Sequence, residues 1–346
     1  QLFVDGRMQV VARWPNASTH PVDPISRLPE SWKVVDGTWW SRHTTWASAD
    51  APGTNNGEVE NNSTLHDLAA TGKSFQGGTV ILSVLEQGGD GNQERMITDH
   101  ESGSNTFQHP VLYPPKPDKA YRNNGKFYIL EHLNALDQPE EWYFTDSTNT
   151  IYLWAKDGQD PGQLNIRGRT LSRSISVTNA AYLQIRGLIF FASNFTIQGD
   201  YITVEDCKFN YPDASKRLVG IYPNTSTDAC ISFGTYVDGE SFSLINCEFT
   251  YSEYSVLKVD NGISSLIHNN LFHHISMLGL GKNGAIEQIN TYTRNTMVTA
   301  GNRGAVKTNA GLTTGRDHSF NLFNGFGFLQ VPDGAALQAN VSNTPG

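Results

Sequence analysis

The chain has 346 residues and a formal net charge of −9, and charged residues make up only 17% of it. That length accommodates one large domain or two moderate ones, and the acidic balance argues against a general nucleic-acid binder. With 32 glycines and no apolar run of membrane-spanning length, the composition fits a turn-dense all-β protein.

The opening QLFVDGRMQVVARW reads as a hairpin, two alternating runs joined by Asp5-Gly6. It lacks the charged region and continuous apolar stretch of a signal peptide, and a start inside a hairpin implies further residues upstream. Residues 27–120 show weak periodicity and many Gly, Asn, Ser and Pro, including GTNNGEVENNST and YPPKPDKAYRNNG. So long a structureless loop is improbable in a compact domain. FQGGTVILSVL (75–85) is therefore expected to supply a buried strand and HDLAATGK (66–73) one helical turn. From residue 126, KFYILEHL, EEWYFTD and TIYLWAKDG predict antiparallel strands, with a turn at Asp146–Asn149.

The second half repeats one phrase: IRGLIF, VEDCKF, LINCEF, IHNNLF, YTRNTM and HSFNLF. Aligned on the last residue, these place Phe190, Phe209, Phe249, Phe272, Met297 and Phe323 at one position, with spacings of 19, 40, 23, 25 and 26 residues. Such a period points to a solenoid. The unit is an alternating strand with no amphipathic helix between copies, which predicts a parallel β-helix whose coils stack apolar faces. The 40-residue gap is either one coil with an insertion or two coils with one degenerate. The predicted division is a β-rich N-terminal region, 1–164, followed by coils over 165–346. No terminal cap is visible, so the coils are expected to continue past the chain or to meet a partner at an open end.

Cys207, Cys230 and Cys247 are odd in number and lack CxxC spacing, arguing against a disulfide framework or a zinc site. Cys207 and Cys247 stand two residues before the aromatic, where later copies carry Asn270, Asn295 and Asn321. This predicts one inward stack that changes from thiol to amide, its members satisfying one another's hydrogen bonds. Charge is uneven: residues 261–330 carry a net +3 from Lys282, Arg294, Arg303, Lys307 and Arg316 against Glu287 and Asp317, leaving −12 elsewhere. These cations are the candidate binders of an anionic ligand. The GxGxxG match at 279–284 has no following helix and reads as a coil turn rather than a dinucleotide site.

LFVDGRMQVVARWPN, EWYFTDSTNTIYLWAKDGQDP and SISVTNAAYLQIRGLIF together resemble secreted bacterial right-handed β-helix proteins of the carbohydrate-active kind. The resemblance implies a right-handed parallel β-helix with an N-terminal β-rich insertion, an extracellular or cell-surface setting, and a polysaccharide partner. That architecture also hosts structural and adhesive fibres, a non-enzymatic alternative that open coil ends would serve by self-association. SVLKVDNG, IHNNLF and MLGLGKNG are similar to active-site coils of alginate lyases and chondroitinase B, which places Lys258 at a base position and Lys282-Asn283-Gly284 where those enzymes carry Arg-His-Gly. VPDGAA resembles an acidic phrase near the clefts of β-helix glycosidases and marks Asp333 as an acid or base.

Two chemistries follow. Uronate elimination needs a base and positive charge or Ca²⁺ against the carboxylate; Lys258 and Lys282 are 24 residues apart, about one coil. Otherwise no cofactor is implied. Glycoside hydrolysis, slightly favoured, needs two carboxyl groups about 5–5.5 Å apart for retention or about 6.5–9.5 Å for inversion. Glu287, Asp317 and Asp333 are the candidates, whereas Asp260 beside Asn261-Gly262 reads as a turn residue capping local amides. His268 and His318 hold nearby coil positions and are candidate acid–base groups. Adjacent His273 and His274 are expected on opposite faces of one strand.

Overall fold

The computed structural model describes residues 1–16, 47–50, 58–63, 66–85, 93–110, 121–171, 173–212, 235–252, 256–261, 264–275, 286–287, 291–300, 304–308, 320–326 and 335–339. The chain divides into two compact units at Gly168/Arg169.

The first unit is mainly antiparallel, although Val10–Val11 runs parallel to Glu141–Thr145. Leu2–Val4 and Arg7–Met8 form the predicted hairpin, with Asp5 at φ 50° and Gly6 at φ 80°. Positive φ at both turn residues is what a two-residue turn of this twist requires. Tyr121–Leu130 is the centre of a larger sheet, flanked by Thr79–Leu85 and Ala47–Asp50. Gln93–Met96, Glu58–Asn61 and Thr106–Gln108 extend that sheet outward. The expected strand in 75–85 and the helical turn at Ala69–Thr71 are both present. Glu141–Thr145 and Thr150–Leu153 form the predicted hairpin. Trp14, Phe75, Phe107 and Phe127 share a core, with centroid separations of 5.2–6.3 Å.

The second unit is the expected β-solenoid. Among the described residues, three parallel sheets of seven, five and six strands, here faces 1, 2 and 3, are visited in the same order by successive coils. The first strand of face 1 is Arg173–Ala181, of face 2 Gln184–Arg186, and of face 3 Ile189–Phe191. The aligned aromatic position is one column of face 3, with Phe190, Phe209, Phe249, Phe272, Met297 and Phe323 paired in sequence. Their rings stack at 4.6, 4.3 and 5.1 Å from Phe190 to Phe272. Lys208–Asn210 pairs directly with Glu248–Thr250, so the 40-residue gap is one coil with an insertion.

The thiol-to-amide stack is a ladder of axial hydrogen bonds. The Cys207 N–H donates to Cys247 Sγ (3.4 Å), Cys247 N–H to Asn270 Oδ1 (2.7 Å), Asn270 N–H to Asn295 Oδ1 (2.8 Å), and Asn295 N–H to Asn321 Oδ1 (2.9 Å). Each ladder residue follows one in the left-handed region: Asp206, Asn246, Asn269, Arg294 and Phe320, at φ 54–59°. That conformation turns the chain from face 2 to face 3 and swings the next N–H along the axis. At the corner between faces 1 and 2 the coils approach so closely that a Cβ on Gly199 would lie 2.0 Å from the Ala180 carbonyl oxygen, and one on Gly239 2.0 Å from that of Gly199. Only glycine fits there.

Two stability outcomes follow. Asn270→Ala leaves the buried Cys247 N–H without its acceptor, and urea unfolding is expected to show a loss of about 1–3 kcal/mol; an unchanged midpoint would remove the ladder from the list of stabilising contacts. In the first unit Glu141 is fully buried, and its carboxyl accepts from the N–H of Asp137 (3.2 Å) and Arg13 (3.4 Å). Burial pushes its pKa from 4.5 up to about 8. A raised carboxyl pKa means that the native state holds a proton the unfolded chain has released. Its stabilising contribution is therefore complete below about pH 4.5 and lost as pH rises through about 8. Glu141→Gln is expected to flatten the fall in denaturation midpoint across that window, and a wild-type slope in the variant would refute the assignment.

Candidate functional site on face 1

Side chains alternate along each strand, so in face 1 Val237 and Val259 point inward while Tyr236, Asp238, Lys258 and Asp260 line the outer surface. Thr235–Asp238 and Leu257–Asp260 are paired residue for residue, Tyr236 beside Lys258 and Asp238 beside Asp260. Neighbouring strands lie about 4.7–4.9 Å apart, so each column offers one side chain per coil.

Asp260 is the hub. Its Oδ2 accepts from the Tyr236 hydroxyl at 2.8 Å and pairs with Lys258 Nζ at 2.9 Å. Lys258 Nζ also lies 5.7 Å from the centroid of the Tyr236 ring. On the adjacent carboxylate, Asp238 Oδ1 accepts from Asn261 Nδ2 at 2.7 Å. Burial, then the bond to Asp260 and the nearby carboxylate charges, pushes the Tyr236 phenol up to about 12, so it is a fixed donor at neutral pH.

The structure places the sequence candidates unevenly. Lys258 is in this cluster, where it pairs with the Asp260 carboxylate. Asp260 ends the strand Leu257–Asp260, and its side chain serves Tyr236 and Lys258. Backbone register continues the Lys258 column through Glu287 and Lys307. His268 is elsewhere, on face 2, with Nδ1 2.8 Å from Thr293 Oγ1. Arg294 occupies the corner after face 2, its guanidinium 5.3 Å from the Phe320 centroid. Asp317, Asp333, His318, Lys282, Arg303 and Arg316 lie outside the described residues.

Face 3 carries a second polar cluster. Glu248 pairs with Lys208 at 3.1 Å and with His273 Nε2 at 3.5 Å. The His273 contact, followed by Lys208, holds the Glu248 carboxyl down at about 2. His273 and His274 do not diverge: their Nδ1 atoms are 3.1 Å apart, because His274 adopts φ 57° and ends the alternation. Burial, with the charge of His273 second, lowers the His274 pKa well below 6.5. Among the described residues no group of three or more His, Cys, Asp and Glu is arranged to hold a metal ion, and no helix is long and apolar enough to cross a membrane.

Asp238 escaped the sequence reading, although VDG and VDNG recur in successive coils before a corner. That repetition was the available signal for an aligned carboxylate pair.

No family model matches the chain, and no curated protein does. One solved structure, titled "Glycoside hydrolase", aligns over 94% of this chain and 76% of its own length, with a TM-score of 0.38 and 11% identity.

A double-mutant cycle between Tyr236→Phe and Asp260→Asn is expected to give a coupling energy of about 0.5–3 kcal/mol in urea unfolding. Additive effects would mean that the hydroxyl and carboxylate do not interact.

Proposed function

We propose that this chain is a polysaccharide-cleaving hydrolase whose site lies on the outer surface of face 1, at Asp238 and Asp260. The observation that carries the reading is their pairing on adjacent coils, one carboxylate held by Tyr236 and Lys258 and the other by Asn261. Glycosidic cleavage needs two carboxyl groups in unlike settings, one to protonate the leaving oxygen and one to attack or to activate water. The two donors on Asp260 suit it to the charged role of base or nucleophile; Asp238, with a single amide donor among the contacts described, suits the acid. Lys258 then orients Asp260 and does not itself take the proton, which favours hydrolysis over elimination. The solenoid gives the site a row of side chains on successive coils, a surface matched to an extended polymer.

The test is a product screen on soluble polysaccharides, reading new reducing ends beside the ultraviolet absorbance of unsaturated uronates. Reducing ends without the ultraviolet signal are expected, and Asp260→Asn is expected to lower turnover by about 10²–10⁴-fold. Ultraviolet-absorbing products would assign the chain to elimination. Absence of both signals across the screen would support the fibre reading instead.

A further inference from the structure

At the corner between faces 1 and 2 the residue just after the end of the face 1 strand is a tyrosine in the left-handed region in each of the first two coils. Tyr182 and Tyr201 have φ 58° and 57°, and their rings stack at 4.8 Å with planes 5° apart. They remain 76% and 51% exposed, a large aromatic surface to leave in water. Ala181 pairs with Asp200, and the N–H groups of Tyr182 and Tyr201 donate to Asp200 O and Glu240 O, which puts Tyr182, Tyr201 and Ser241 in one corner column. Ser241 repeats the geometry at φ 56° and Ser264 at φ 60°, each without a ring. The aromatic ladder therefore stops at Tyr201, and the place of the next ring, above Ser241, is held by a hydroxymethyl group.

That place lies three residues along the chain from Asp238. Gln198 pairs with Asp238, so the Ser241 corner follows directly from the strand that ends at Asp238. The surroundings are acidic on the face 1 side: Asp200 and Glu240, which immediately precede Tyr201 and Ser241, are both exposed, with Asp200 Oδ1 accepting from the Glu240 N–H at 2.8 Å. Carboxylates accept hydrogen bonds from hydroxyl groups and repel phosphate, sulfate or uronate. A ring with one apolar C–H face and hydroxyls at its edge satisfies both features.

We infer that the Tyr201 face above Ser241 is a binding subsite for a neutral pyranose ring of the polymer, the sugar taking the next position in the aromatic ladder. The inference rests on the hydrolase reading and narrows it: the unit bound beside Asp238 is uncharged, not a uronate.

Binding is read separately from cleavage, by affinity electrophoresis of the Asp260→Asn protein in gels containing xylan, mixed-linkage β-glucan, polygalacturonate or alginate. Retardation is expected with a neutral polymer. Adding Tyr201→Ala is expected to weaken it about two- to tenfold, the range of one aromatic contact, while Tyr201→Phe preserves it. Ser241→Tyr extends the ladder with the residue type this corner already accepts, and is expected to block binding in a folded protein, as judged by circular dichroism. This variant decides the matter if Tyr201→Ala does not fold. Retardation by the uronate polymers alone, by none of the four, or unaltered by Ser241→Tyr would overturn the subsite. Binding that follows these expectations while the wild-type protein cleaves nothing would retain the subsite and reject the hydrolase.

Discussion

The second unit depends on the axial hydrogen bond at the corner between faces 2 and 3. A parallel coil reverses direction tightly there, through a residue at positive φ, and the following N–H is aimed at the next coil, away from water. Left unmatched, each such group would cost about 1–3 kcal/mol. The side chain of Cys247, Asn270, Asn295 or Asn321 in the succeeding coil supplies the acceptor. An acceptor one residue out of step would miss it, so the ladder fixes register, and register fixes every column on the outer surface.

The chemistry on face 1 is a consequence. Nothing in the local sequence brings Tyr236 to Lys258 and Asp260, which lie 22 and 24 residues away. They meet because Val237 and Val259 are both claimed by the interior and their strands pair without slip. A one-residue slip would bury the charged column and expose the valines. Insertion of a long segment between Asn210 and Thr235 leaves this arrangement intact, since the flanking strands still pair directly. Loops can thus be added at a coil boundary without disturbing the site.

Legibility in the sequence followed the strength of the local signal. The solenoid was readable because one phrase recurs with an aromatic and a small polar residue at fixed offsets, and each offset is a physical column. The hairpin at Asp5-Gly6 and the pair around Asp146–Asn149 were readable because their turn residues have few alternatives. Strands such as Glu58–Asn61 and Gln93–Met96 were not, being four residues long and largely polar, with pairing partners distant in the chain. At the site, Lys258 was legible but its ion pair with Asp260 was not, since that pair arises between alternate positions of one strand after the side chains settle. The bonds from Asp260 to Tyr236 and Lys258 were hidden behind the turn signal of Asn261-Gly262, and His273 and His274 looked opposed because the left-handed twist at His274 has no signature in the residue type.

The two thiols in the ladder have a bearing on kinetics. Cys207 and Cys247 are 1% and 2% exposed, so an alkylating reagent finds no surface to attack, and burial pushes the Cys247 thiol up to about 12. Modification must wait until the coil opens. The early coils therefore carry a built-in clock for local opening, whereas the later coils, whose ladder positions are amides, unfold without leaving such a chemical record.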